Sequence, residues 1–206
     1  MGKVEKELLK CILALELEEG CASVETLNSR FLFSEEECLE ILSNLEDLGL
    51  VKRLDSSSYI LTEDGRKEIK IVFTGGVFDI IHLGHITALN EAKSYGDFLV
   101  VVVARDETVE RMKGRKPLND EISRLKIVKC LRMVDVALLG DEKNQYKIVE
   151  KVKPDVIALG YDQKHSEDEV KREVERLGLN VEVVRLKNVV PNVKTSSLLL
   201  KIVNQF

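Results

Sequence analysis

Ile69-Lys70-Ile71-Val72-Phe73-Thr74 runs directly into Gly75-Gly76-Val77-Phe78-Asp79-Ile80-Ile81-His82-Leu83-Gly84-His85. The first six residues read as a buried strand, the two glycines as a turn, and the histidines flanking Gly84 as the mouth of a helix. A strand that ends in glycines lets a phosphate approach the backbone closely. A helix starting near Gly84 aims unsatisfied N–H groups and its positive dipole end at that anion. Two imidazoles there can donate hydrogen bonds to phosphoryl oxygens as charge shifts during transfer, and histidine can be neutral or charged near pH 7. Zinc is the competing reading. A zinc pair on a helix needs i, i+4 spacing or further Cys/His ligands, whereas here the spacing is i, i+3 and the only other histidine is His165. Phosphoryl chemistry is the better account.

Outward from this stretch, apolar runs at 69–74, 98–104, 134–139, 156–159 and 181–186 alternate with amphipathic stretches at about 85–95, 120–133, 145–152 and 168–177. A last helix is expected from about Ser196. Runs buried on both faces and linked by helices predict an α/β fold, a doubly wound Rossmann-like parallel sheet with right-handed crossovers. Ligands of such sheets lie at the carboxyl ends of strands near the topological switch point. The segments 75–85, 105–106, 160–163 and 195–197 fall at or near those ends. A dinucleotide-binding dehydrogenase would carry GxGxxG after its first strand, and Gly75-Gly76-Val77-Phe78-Asp79 is not that motif.

The HxGH box resembles that of the nucleotidyltransferases, transferases that join a phosphate-bearing acceptor to a nucleotide and release pyrophosphate. Within that superfamily, residues 69 to 206 are similar to the cytidylyltransferase branch and most similar to the archaeal-type FAD synthetases. The resemblance continues through Val103-Ala104-Arg105-Asp106-Glu107-Thr108, Lys113-Gly114-Arg115-Lys116-Pro117, Arg124, Arg132, Val134-Asp135, Leu159-Gly160-Tyr161-Asp162-Gln163 and Thr195-Ser196-Ser197, in the family's order. It implies ATP or CTP as one substrate and a phosphorylated acceptor such as FMN as the other. Mg²⁺ would be bound through the nucleotide phosphates, with no metal ligands supplied by the protein.

By this resemblance His82 and His85 stabilise the transferred phosphate and the departing pyrophosphate, and Lys113, with Arg115 and Lys116, lies over the triphosphate. Arg124 and Arg132, eight residues apart, are expected on one helix face, their forks suited to phosphate oxygens. Gly75, Gly76 and Gly84 permit close approach, and Val77 and Phe78 complete the nucleotide-binding turn. Phe78 is also expected to pack in the core, with Asp79 bracing the loop. Asp106 is placed near the acceptor or nucleotide, with helix capping as its alternative role. Gly160, Tyr161 and Asp162 lie along the base and ribose, and Thr195, Ser196 and Ser197 cap the last helix and reach the β- and γ-phosphates. The sequence also departs from the cytidylyltransferase pattern: the RTEGIST stretch survives only as Asn192-Val193-Lys194-Thr195-Ser196. That disfavours the alternative acceptor, glycerol 3-phosphate with CTP.

Residues 1–68 form a separate expected domain. Val4, Leu8, Leu9, Ile12, Leu13 and the leucines at 15 and 17 follow a helical period that ends at Gly20. Ser23 caps a second short helix, and Ser34-Glu35-Glu36-Glu37 is a capping box that opens a third. The runs 50–54 and 59–62 then read as a hairpin around a polar turn. Three helices and a hairpin resemble a winged helix-turn-helix. The third helix carries Glu35, Glu36, Glu37, Glu40, Glu46 and Asp47 and no Lys or Arg, so a DNA major groove would repel it. Protein contact or homodimerisation is the expected use. A nucleotide-sensing winged-helix regulator is the alternative of another class.

Charge follows the same division. Residues 1–68 hold eight Lys/Arg against sixteen Asp/Glu, net −8, and residues 69–206 hold 23 against 20, net +3. A general nucleic-acid binder is disfavoured by this balance, while the mildly basic part suits anionic nucleotides. The four cysteines, Cys11, Cys21, Cys38 and Cys130, show no CxxC pair, consistent with free thiols in a reducing compartment. No run is long enough to span a bilayer, and the N-terminus is unlike a signal peptide, so a cytoplasmic protein without membrane partners is expected.

Overall fold

The structure, a computed structural model, describes residues 2–31, 33–144, 146–163, 165–191, 193, 195, 199 and 204. The chain divides into two compact units, Met1–Lys70 and Ile71–Phe206.

In the first unit α1 (Lys3–Glu19) is followed by a short strand β1 (Ala22–Ser23), α2 (Val24–Phe31), α3 (Glu35–Asp47), β2 (Val51–Arg53), β3 (Ser58–Leu61) and α4 (Glu63–Lys67). Gly20 closes α1 in the left-handed conformation at φ 95°, returning its N–H to the Glu16 carbonyl. A β-branched or bulky residue would be strained there. Ser34 and Glu37 form the full reciprocal capping box of α3. α1 buries Leu8, Leu9, Ile12, Leu13, Leu15 and Leu17, more than one helical stripe, because it is packed by β3, β1, α2 and α4. β1, β3 and β2 form an antiparallel sheet in that order. β1 and α4 have no sequence signal of their own: two residues carry no period, and α4 reads as a wing exit. On α3, Cys38, Leu42 and Leu45 are buried while Glu35, Glu36, Glu37, Glu40 and Asp47 are exposed.

The second unit is an alternation of strand and helix: β4 (Ile71–Gly76), α5 (Leu83–Lys93), β5 (Phe98–Val103), α6 (Asp106–Lys113), α7 (Glu121–Lys129), β6 (Val136–Leu139), α8 (Tyr146–Val152), β7 (Val156–Leu159), α9 (Glu167–Arg176) and β8 (Glu182–Arg185). The five strands are all parallel, in the order β6-β5-β4-β7-β8. The chain therefore reverses its direction of winding between β4 and β7, and this is the topological switch point of the sheet. β5 reads FLVVVV, with only Val102 not fully buried, as expected of a strand covered on both faces. Val72, Leu99, Val101, Val103, Ala137, Val156 and Ala158 join Leu89, Ala92 and Val128 in one core. Asp135 fixes the entry to β5 by accepting from Leu99 N at 2.6 Å and pairing with Lys93.

Element limits differ from the sequence expectations in three consequential places. The first strand begins at Ile71 and extends through both glycines, because Gly75 and Gly76 continue the ladder with Val102 and Val103. The following helix begins at Leu83, with His82 as its N-cap residue. α7 ends at Lys129, so Arg132 is not on a helix with Arg124; it lies exposed in the turn before β6.

Gly65 tests the packing of the first unit. A β-carbon there would stand 1.8 Å from the Leu50 carbonyl oxygen, and backbone cannot yield as a side-chain tip can. Gly65→Ala is expected to lower stability by about 2 kcal/mol or more, measured as a shifted guanidinium midpoint against the parent chain.

Candidate active site

The sheet opens where the histidine motif lies. β4 pairs with β5 along its whole length, from Ile71 opposite Phe98 to Gly76 opposite Val103. With β7 it pairs only at Val72 and Phe73. Beyond those residues β4 and β7 part. The buried Thr74 hydroxyl donates to the Ala158 carbonyl at 2.8 Å, and the Gln163 side chain then takes the place of the ladder. Its Nε2 donates to Gly75 O at 2.7 Å and its Oε1 accepts from Gly160 N at 3.2 Å.

His82 and His85 are stacked at the mouth of α5, with ring centroids 3.9 Å apart and planes 24° from parallel. The helix N-cap brings them together: both His85 N and Ile86 N donate to the His82 carbonyl. Gly84 between them is closely enclosed: a β-carbon there would sit 3.1 Å from the His82 ring and 3.2 Å from Val193 O, and both neighbours would have to give by a few tenths of an ångström. Phe78 supports the pair from below. It is buried, its ring centroid 5.3 Å from that of His85, and it adopts φ 53°, a left-handed conformation costly for a bulky side chain. Gly76 admits this bend, because a β-carbon at 76 would meet the Phe78 ring at 2.9 Å. Phe78 is thus a packing residue beneath the histidine pair, in keeping with its expected place in the core.

Both imidazoles are held below the ordinary histidine range by burial, His85 to about 4, where the neighbouring His82 and Lys113 add to the depression and Asp162 opposes it. These influences gather Lys113, from the end of α6, and Asp162, from the loop after β7, around His85. The Nδ1 atoms of both rings are buried with no hydrogen-bond partner among the described residues. At neutral pH the site therefore presents two uncharged imidazoles with unused hydrogen-bonding capacity, an arrangement that an incoming polyanion can exploit by favouring the protonated form.

Arg124 has no exposed side-chain surface. Its Nε donates to Asn119 O at 3.0 Å, Nη1 to Val77 O at 2.6 Å, and Nη2 to both Ala104 O at 2.7 Å and the Asp106 carboxylate at 2.6 Å. The guanidinium is a strut joining the loops after β4, after β5 and before α7. Asp106 is held with it. Its carboxylate is committed to Arg124 and, at 3.3 Å, to Glu121 N, while Glu121 accepts from Asp106 N and pairs with Arg105. Asp79, 5% exposed, accepts from Leu118 N and Asn119 N at 2.9–3.0 Å, and Asn119 Nδ2 returns a bond to Asp79 O. The segment 115–119 is thereby clipped beside the histidine turn.

The remaining expected residues are distributed as follows. Lys113, Arg115 and Lys116 are exposed, with Arg115 Nη1 3.8 Å from Asp79. Val77 is half-buried and contributes its carbonyl to Arg124. Gly160, Tyr161 and Asp162 follow β7, the latter two exposed. Thr195 is helical and half-buried, and Ser196 and Ser197 lie outside the described residues. Two residues gained no role from the sequence. Gln163 spans the switch point, and Arg185 holds the loop after β7 by donating to Gly160 O, Gln163 O and His165 O. A glutamine four residues past a strand carries no distinguishing pattern. Arg185 comes from the next strand, so only the parallel β7–β8 pairing brings it there.

Comparison with known proteins follows this geometry. A family model described as cytidylyltransferase-like matches residues 73–201. A FAD synthase of Thermoplasma acidophilum is 51% identical over 130 residues, 63% of this chain and 91% of that protein. A FAD synthase of Thermococcus sibiricus is 44% identical over 144 residues, 68% of this chain and 97% of that one. The crystal structure of a lipopolysaccharide core biosynthesis protein from Thermoplasma volcanium matches with a TM-score of 0.57 at 49% identity, covering 59% of this chain and 99% of its own.

The depressed histidines have a consequence in acid. His85 binds its proton more weakly when folded than when unfolded, so the unfolded chain takes up the proton first as pH falls. Its contribution to stability is full above about pH 6.5 and declines toward the folded value of about 4. The melting temperature is expected to drop between pH 6.5 and 5, above the range in which Glu37, Asp55, Asp120 and Asp141 titrate. His85→Asn should flatten that slope; an unchanged slope in calorimetric scans would contradict the assignment.

Proposed function

The chain belongs to the cytidylyltransferase-like family, and on that premise we propose that it is an FMN adenylyltransferase converting ATP and FMN to FAD and pyrophosphate. The observation that carries the reaction class is the stacked, desolvated pair His82 and His85 at the N-terminus of α5. The pairing of ATP with FMN is supported by the names of the FAD synthase relatives.

In the proposed reaction the terminal phosphate oxygen of FMN attacks the α-phosphorus of ATP in line. A new P–O bond forms as the bond from the α-phosphorus to the bridging oxygen breaks, and that electron pair leaves on pyrophosphate. The nucleophile is already anionic, so no base is required. Catalysis rests on positioning and on donors aimed at the developing charge. Gly76 and Gly84 admit the phosphate chain close to the backbone, and the free N–H groups at the start of α5 face it. His82 and His85 hydrogen-bond the transferred and departing phosphates, and Lys113 with the 115–116 cations lies along the triphosphate. Tyr161 and Asp162 line the nucleoside.

Mg²⁺ fits this site through the nucleotide rather than through the protein. Among the described residues no group of three or more His, Cys, Asp or Glu gathers, and the carboxylates of Asp79 and Asp106 are already committed to backbone N–H groups and to Arg124. The ion would neutralise charge on the triphosphate oxygens. We read the first unit as a winged-helix-like module for protein contact, because the exposed carboxylates of α3 would repel a duplex.

The deciding assay is pyrophosphate release with Mg²⁺ for ATP or CTP, each with FMN or glycerol 3-phosphate. Release with ATP plus FMN alone, with FAD formed, is the expected result; release only with CTP and glycerol 3-phosphate would overturn the substrate assignment. In the same assay His85→Ala is expected to lower kcat by roughly 10²–10³-fold, with a much smaller loss of ATP affinity by calorimetry. Equal losses in the two would remove its transition-state role.

A further inference from the structure

The switch point holds a side chain that stands in for the missing ladder bonds. Gln163 is half-buried between the parted ends of β4 and β7. Its carboxamide donates to Gly75 O and accepts from Gly160 N, at the carboxyl ends of β4 and β7, the end of a doubly wound sheet that receives its nucleotide. The loop does not need that amide for its shape. Gln163 N bonds Gly160 O at 3.1 Å, and Arg185 Nη1 reaches Gly160 O at 3.0 Å and Gln163 O at 2.9 Å. The main chain of the loop is held without the Gln163 side chain.

We propose that the Gln163 carboxamide imitates the pairing edge of the substrate's base and gates the base site. This inference rests on the reading of ATP as the nucleotide substrate. A primary carboxamide presents an N–H donor beside an oxygen acceptor. The pairing edge of adenine presents an N6 amino donor beside the N1 acceptor, in the same order and on the same scale. Gly75 O and Gly160 N are therefore a matched acceptor and donor for adenine, and Gln163 satisfies them when the base does not. Binding exchanges one pair of hydrogen bonds for its equivalent, and Gln163 swings out from between the two strand ends. A 6-oxopurine is refused, because its O6 would face the Gly75 carbonyl and its N1–H would face the Gly160 N–H. Cytosine offers the same donor–acceptor order as adenine, so this edge separates amino bases from oxo bases, and the choice of purine falls to the rest of the pocket.

The test uses the full chain with ATP and ITP, which differ only at the 6-position edge. In Gln163→Ala the competing amide is gone. ATP is then expected to bind about three- to tenfold more tightly by calorimetry, with KM for ATP falling in step, KM for FMN holding, and ATP still preferred over ITP. Gln163→Met, which keeps the bulk and removes both bonds, should follow Gln163→Ala, and a melting curve for each variant reports its folding. Weaker or unchanged ATP binding in folded variants would overturn the gate, and so would equal affinity of the parent chain for ATP and ITP. A parent chain that neither binds ATP nor forms FAD would instead overturn the adenylyl-transfer reading, which separates the two failures.

Discussion

A guanidinium with no exposed surface ties together the catalytic end of the sheet. Burying a charge of that kind is costly unless it is paired and its donors are satisfied. Arg124 meets that condition by drawing the carbonyls of Val77, Ala104 and Asn119 and the carboxylate of Asp106 onto one group. Three separate loops are thereby brought into fixed relation, and neither the histidine turn nor the 115–119 segment can move without leaving a donor unpaired. Removal of one member of such a network leaves the others buried and unsatisfied, so the strut is more rigid than any of its bonds taken singly.

On that frame the glycine turn can carry strain. Phe78 holds a left-handed backbone beneath His85, and Asp79 anchors the next step to Leu118 and Asn119. The result is a dry floor under two imidazoles. Desolvation keeps them neutral, and their Nδ1 atoms have no hydrogen-bond partner among the described residues. Charged histidines would bind any anion; neutral ones respond most strongly where negative charge is placed against them. This is the environment expected of groups that serve a phosphoryl transition state more than its ground state.

The parting of β4 from β7 supplies the other half of the site. Parallel strands wound in opposite directions from β4 cannot both be followed by helices on the same face, and a crevice results. Thr74 and Gln163 replace the lost ladder bonds with side-chain bonds. Side-chain bonds of this kind can be exchanged without unzipping the sheet, so the opening at its centre does not weaken the ladder on either side.

Except for α6, which no apolar period announced, the amino-acid sequence alone determined the order of strands and helices in residues 71–186, the histidine motif at the end of the first strand, and the family resemblance, because burial period, glycine turns and caps are local properties. It identified His82, His85 and Gly84 for the same reason: their spacing is a short-range fact. It could not say that Arg124 and Asp106 hold each other, because that contact spans 18 residues and an arginine on a helix reads the same whether buried or exposed. Nor could it place Arg132 off the helix, since α7 stops at Lys129 and Cys130 without a proline or glycine to mark it. Gln163 and Arg185 acquired their roles only when parallel pairing set β7 between β4 and β8. Local periodicity wrote the elements; the desolvation of charged and polar groups in the packed molecule decided what each of them does.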